Sequence, residues 1–185
     1  MNEAYRNLLL NTAKKAVKFG LTQNSVLPIK LNDFDNPLIQ IQASFVTLHL
    51  NGKLRGCIGT LEAYQALILD IVQNAYNAAF KDPRFFSVSD EEFPHLHYHI
   101  SILTPPTTLT FISEKELLNQ ITPNIDGIIL SDGEKKGTFL PSVWEQLPDK
   151  HFFLKQLKIK AGFSPDYWSN TLTAQRYSVE NIKST

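Results

Sequence analysis

Cysteine is nearly absent from this chain: one residue, Cys57, in 185. A single thiol excludes an intrachain disulfide and any CxxC-type zinc or iron–sulfur site. No charge sign dominates either, because eighteen Lys and Arg balance eighteen Asp and Glu. A protein that works by neutralising phosphates is usually more basic, so a dedicated nucleic-acid role is disfavoured. Apolar runs stop well short of the roughly 20 residues that cross a bilayer, so no membrane span is expected. The first residues place Glu3 early and the lysines after the apolar run. That is the reverse of a secretory signal, and a cytoplasmic location is expected. No P-loop, GxGxxG, GxSxG or HExxH pattern occurs, so no cofactor, and no usual nucleotide, hydrolase or zincin chemistry, is implied.

What is present is enough apolar sequence for one domain, in one piece or two lobes. Residues 3–19 have helical spacing, with Leu8, Leu9, Ala13 and Val17 near one face and Gly20 placed to end the helix. Residues 23–42 read as irregular. "ASFVTLHLNGKLRGCIGT" holds two β-rich runs around Asn51-Gly52, a strong hairpin signal. A second helix is expected from about Glu62 to Phe80, with Pro83 blocking continuation. "HLHYHISIL" (95–103) alternates as a strand does, and Ser113 with Glu116 forms a capping box. "GIILSDGEKKGTFLP" reads as a second hairpin turning near Asp132-Gly133. A last helix is expected from Pro148 to Lys160, ended by Gly162. Hairpins interspersed with helices define an α+β class with an antiparallel or mixed sheet.

The hairpin raises the question of what "LRGCIG" (54–59) does. A two-residue turn pairs Leu50 with Lys53, Leu48 with Arg55 and Val46 with Cys57. Arg55 and Cys57 then share a face, about 7 Å apart at their Cα atoms. An arginine beside a thiol favours the thiolate, the nucleophilic form. Gly56 and Gly59 weaken a strand, which suggests close approach by a backbone or a ligand. A free cysteine is equally at home as a small buried hydrophobe, so the spacing leaves both readings open. The same register sends His49 to the opposite face, which leaves Cys57 without a histidine base.

Three other features carry chemistry. Lys160 falls in line with Phe153 and Leu157, at the edge of the last helix's apolar stripe, while Lys155 and Lys158 fall on another face. It either snorkels to water or offers a cation to an anionic substrate. His95, His97 and His99 alternate along one strand but sit too far apart to converge well on one ion, so no metal site is assigned. Asp82 and Arg84 in "KDPRFF" bracket a proline, as a structural corner or as part of a site.

Taken together, "FVTLHLNGKLRGCIGTLEA" (45–63), "NAYNAAFKDPRF" (74–85), "ISILTPP" (100–106), "DGIIL", "KKGTFLPSV" and "KAGFSPDYW" resemble the AMMECR family over nearly the whole chain. That family is named for a human chromosomal region linked to Alport syndrome, midface hypoplasia and elliptocytosis. Its bacterial and archaeal members are often called AmmeMemoRadiSam system protein A. The resemblance implies an α+β fold of two packed parts with a cleft. It puts Arg55, Gly56, Cys57 and Gly59 in the family signature, Asp82 and Arg84 in its "DPRF", and Lys160 in its "KAG". It also implies a Memo-like protein and a radical SAM enzyme as partners, but no reaction. Two departures stand out: Phe86 and Ser87 where the family tends to have prolines, and His97 and His99 where relatives more often have acidic or apolar residues.

Two function classes follow. One is an enzyme or enzyme component with Cys57 as nucleophile or covalent carrier, Arg55 and Lys160 as its cations, and Gly56, Gly59, Asp82 and Arg84 lining the substrate site. Its substrate class is an anionic small molecule or nucleotide. The other is a non-catalytic adaptor that docks the partner proteins and keeps Cys57 as packing.

Overall fold

Period-two and helical apolar patterns sort the chain into two units in the structure, a computed structural model that describes residues 1–184. One unit comprises Met1–Leu103 with the segment from Glu180 onward; the other is Thr104–Val179. Each has its own four-stranded antiparallel sheet and its own apolar core, so the α+β expectation holds. Among the described residues no helix is long and apolar enough to cross a membrane.

In the first unit, strands β1 (Ser44–Leu50), β2 (Lys53–Gly59), β3 (Leu96–Leu103) and β8 (Val179–Lys183) lie in the order β2-β1-β3-β8. Helices α1 (Glu3–Gln23) and α3 (Leu67–Phe80) pack on one face, and the single turn α2 (Asn36–Ile39) falls within the 23–42 segment expected to be irregular. Strand alternation puts Val46 and Leu48 of β1 and Tyr98, Ile100 and Ile102 of β3 on that face, all buried. Leu67, Ile68, Ile71 and Ala75 of α3 and Leu9, Ala13 and Val17 of α1 meet them. Thr47, His49, Cys57, His97 and His99 consequently fall on the other face.

Three sequence expectations are corrected here. Gly20 does not end α1. The helix runs on to Gln23, and Asn24 caps it in the left-handed region (φ 49°) with its N–H on the Gly20 carbonyl. A Cβ on Gly20 would stand 2.3 Å from the Phe80 ring, so this glycine serves the contact between α1 and α3. The second helix starts at Leu67, five residues later than expected from Glu62, where the Leu67 N–H donates to the Gln40 carbonyl. Asn51 and Gly52 both have positive φ, as a tight hairpin turn requires. The simple register fails beyond the turn, however. A bulge between Leu48 and His49 makes Arg55 the extra residue, and Cys57 pairs with Thr47, not Val46.

The second unit contains β4 (Thr107–Leu109), α4 (Glu114–Gln120), β5 (Gly127–Asp132), β6 (Lys135–Phe139), α5 (Lys150–Lys160) and β7 (Thr173–Tyr177). The sheet order is β4-β7-β5-β6. Ser113 caps α4 by accepting the Glu116 N–H, as its spacing predicts. The last helix is capped by Asp149 and begins at Lys150, so Pro148 lies just outside it. Its core is aromatic: Trp144 stacks on Phe153 with centroids 3.6 Å apart.

Candidate functional site

Strand β2 is an edge strand, so alternate backbone groups along it face away from the sheet with no strand to meet them. At Cys57 two side chains from the segment after α3 take that role. Asp82 Oδ2 accepts the Cys57 N–H at 2.9 Å, and Arg84 Nη2 donates to the Cys57 carbonyl at 3.2 Å. The two are themselves joined: Arg84 Nε donates to Asp82 Oδ1 at 2.9 Å and Nη2 to Oδ2 at 2.7 Å, a bidentate pair. Pro83 between them turns the chain so that both can reach back, and the Arg84 N–H closes the turn on Asp82 Oδ1.

The electrostatics follow from this geometry. Asp82 is only 4% exposed, yet the Arg84 guanidinium and the Cys57 and Arg84 N–H groups hold its carboxyl far below the usual carboxylate range against the cost of burial. Asp82 in turn raises Arg84, with a smaller contribution from the Cys57 sulfur. Arg84 keeps 54% of its side chain exposed, and its Nη1 makes no hydrogen bond among the described residues. The site therefore presents one outward cation, locked in place, beside one thiol. Cys57 is itself partly exposed, and its Sγ accepts the Thr47 hydroxyl at 3.2 Å.

Arg55 is placed differently from its expected position. The bulge sends it off the strand edge, where its Nε and Nη2 meet both oxygens of Glu92 at 2.7 and 2.8 Å. Its Nη1 and Nη2 also donate to the Phe86 and Ser87 carbonyls. Only 13% of the side chain is exposed, and Glu92 is held below its ordinary range by it. Arg55 thus fastens the 86–92 segment, and the cation beside Cys57 is Arg84. The bulge also overturns the placement of His49, which shares the face of Thr47 and hence of Cys57.

The two glycines have partners within the protein. A Cβ on Gly56 would lie 2.1 Å from the Ala78 carbonyl oxygen of α3, and one on Gly59 would lie 2.2 Å from the Phe45 ring. The close approach they signalled is made, on the Cβ side of each, by the chain itself. Lys160 belongs to the second unit, unlike the other six candidates. It is exposed, rests 4.9 Å above the Phe139 ring and is lowered from the ordinary lysine range by partial burial. The buried lysine of α5 is Lys158, which spacing had put on another face; it pairs with Glu114 at 2.6 Å. His95 lies in a turn before β3, while His97 and His99 sit on the strand. Among the described residues no three His, Cys, Asp or Glu side chains gather as metal ligands. A surface hollow of about 370 Å³ in the first unit is lined by Arg6, Asn7, Leu10 and Lys183 among others, and by none of the candidates.

Sequence reasoning missed Glu92, Thr47 and the role of Arg84. No local pattern links Cys57 to Asp82 across a sequence separation of 25, which only the sheet edge closes.

A two-unit α+β chain with a cysteine clamped on a sheet edge by an Asp-Pro-Arg turn is the class of protein so defined. The sequence profile of the AMMECR1 family matches residues 10–182, and the chain belongs to that family. A protein of Methanothermobacter thermautotrophicus is 35% identical over 161 residues, 85% of this chain and 82% of that one. A Thermotoga maritima protein is 39% identical over 142 residues, 76% of each chain. The crystal structure of an uncharacterized Pyrococcus horikoshii protein superposes with a TM-score of 0.85 at 28% identity, covering 98% of this chain and 92% of that one.

Proposed function

We propose that the first unit holds a reactive-cysteine site, with Cys57 as nucleophile or covalent carrier for an anionic small molecule and Arg84 as the group that receives its negative charge. The observation that carries this reading is the Asp82 clamp. One buried carboxylate fixes both the Cys57 backbone and the Arg84 guanidinium, and leaves Nη1 without a hydrogen bond among the described residues on a side chain more than half exposed. A guanidinium so held is preorganised for a carboxylate or phosphate and also favours a neighbouring thiolate. Asp82 acts as a positioning residue, and Arg55 supports it only by fastening the adjoining segment.

The test compares a charged and a neutral probe of the same chemistry. Alkylation of native Cys57, read by intact mass, should favour iodoacetate over iodoacetamide, and Arg84→Gln should remove that preference while Cys57→Ser removes the adduct. A thiol that reacts only after denaturation, or a preference untouched by Arg84→Gln, overturns the reading.

A second reading, the adaptor, is favoured by one observation. Phe86 is 94% exposed although its carbonyl is pinned by Arg55. A fixed, solvent-facing aromatic is the kind of anchor a protein partner buries. If a Memo-like protein or a radical SAM enzyme docks there, Phe86→Asp breaks the complex and leaves Cys57 alkylation unchanged; a complex indifferent to Phe86→Asp removes this reading.

A further inference from the structure

On the sheet face away from α1 and α3, four polar side chains line up across four strands. Cys57 on β2 pairs with Thr47 on β1, and Thr47 pairs with His99 on β3. His99 Nε2 lies 2.9 Å from Asn181 Oδ1 on β8. Cross-strand partners share a face with Cβ atoms about 4.5–5.5 Å apart, so the row is continuous. At one end the Thr47 hydroxyl donates to Cys57 Sγ. At the other, Asn181 Oδ1 also accepts the Ser101 hydroxyl at 2.9 Å. An amide oxygen only accepts, so His99 carries its ring proton on Nε2 and keeps a lone pair on Nδ1.

We infer that His99 is the proton acceptor for Cys57, with the Thr47 hydroxyl as the bridge and Asn181 as the group that fixes the imidazole tautomer. This rests on the reading of Cys57 as a nucleophile and supplies the base which that reading lacks. In the step, the Cys57 S–H bond breaks and its proton passes to Thr47 Oγ1. The original Thr47 hydroxyl proton goes to His99 Nδ1. The products are a thiolate and an imidazolium, with Thr47 donating to sulfur as it does in the structure. Thr47 makes no hydrogen bond to His99 in this arrangement; turning its hydroxyl toward Nδ1, directly or through one water, completes the path.

The surroundings suit the two ends to these roles. His99 is half-buried, and burial first, then Lys183 on β8 and His49 on β1, hold it below the ordinary histidine range against the Asn181 bond. That favours the neutral ring, the form able to accept a proton. His97, two residues earlier on β3, shares its face, and no carboxylate from β1, β2, β3 or β8 stands on that face. At the other end, Arg84 is the cation coupled to the Cys57 sulfur.

The experiment is the pH profile of iodoacetamide alkylation of Cys57 in the full chain, for wild type, Thr47→Val, His99→Gln and the double variant. Each single change should move the midpoint up by about one pH unit, which is a loss of about tenfold in rate at pH 7. The double variant should lose no more than the slower single, because both act on one path. As a check that leaves His99 in place, its ring titration followed by NMR should fall to lower pH in Cys57→Ser, where no thiolate supports the imidazolium. Wild-type profiles in Thr47→Val or His99→Gln, or an unmoved His99 titration, overturn the inference. If the wild-type thiol reacts natively and responds to Arg84→Gln under those outcomes, the nucleophile reading stands and only the base assignment falls. A wild-type thiol that reacts only when denatured overturns both.

Discussion

Asp70 and Asp82 are two carboxylates of the first unit at nearly the same depth, 1% and 4% exposed, held in opposite ways. Asp70, in the first turn of α3, accepts only from uncharged donors. Its Oδ2 takes the Ser44 N–H and hydroxyl and the Asn74 amide; its Oδ1 takes the Thr60 hydroxyl and the Gln65 amide. The network ties the start of β1, the end of β2 and α3 together and presents nothing outward. Asp82 is satisfied by a cation that stays more than half exposed. A buried carboxylate enclosed by neutral donors organises a fold, whereas one that grips an exposed arginine also aims that arginine. The difference separates structural polar burial from a candidate site without appeal to any motif.

The largest effect expected from breaking this comparison is at Asp70. Asp70→Ala strands several buried donors at once and should cost about 3–4 kcal/mol in urea unfolding. A loss under about 1 kcal/mol would mean that the network is not what joins β1 and β2 to α3. Next come the two arginines. Arg55→Ala leaves the Glu92 carboxylate without its cation, with only the Ser89 N–H, and takes the arginine from two carbonyls in a partly buried site; it should cost about 2–3 kcal/mol. Arg84→Ala leaves the buried Asp82 carboxylate with only its two backbone N–H donors and should cost a comparable amount, about 2–3 kcal/mol. In iodoacetate alkylation of Cys57 the two should separate, with Arg84→Ala slower than Arg55→Ala. Equal slowing would erase the distinction between a fastening and a receiving arginine.

Acid titration sharpens the comparison further. The Asp82 carboxyl is depressed in the folded protein relative to its value of about 3.9 in the unfolded chain. Its contribution is therefore complete above that unfolded value and is lost as pH falls toward the folded one. Unfolding free energy measured from pH 6 down to 2.5 should fall less steeply below about pH 4 in Asp82→Asn than in wild type. Equal slopes would assign acid sensitivity to other carboxylates, such as Glu92 or Glu180, which are also lowered. The smallest effect lies in the second unit. Ser113→Ala removes the α4 cap and should cost about 1 kcal/mol there, with Cys57 alkylation unchanged.

How much of this was legible beforehand depends on range. The Asn51-Gly52 turn, the Ser113 cap and the alternation of β3 are local, and each appears where its residues predict. The helix boundaries drifted where a tertiary partner decided: Gly20 reads as a stop until Phe80 is packed against it. The site was half legible. Cys57, Asp82 and Arg84 stand out in the sequence, but a hairpin without its bulge puts Arg55 on the face of the thiol. One extra residue exchanges the faces of a strand, so that error moved Arg55, His49 and the partner of Cys57 together.

The sequence by itself determined the α+β class, the hairpin turns, the Ser113 cap and the family, because these rest on periodicity, turn chemistry and motifs read within a few residues of one another. Only the tertiary structure decided that Arg84 stands beside Cys57, that Arg55 is spent on Glu92, and that Thr47, His99 and Asn181 share a row with the thiol. Those contacts join strands and segments far apart along the chain, and their register is set by a bulge whose partners, Glu92 and the Phe86 and Ser87 carbonyls, no local pattern contains.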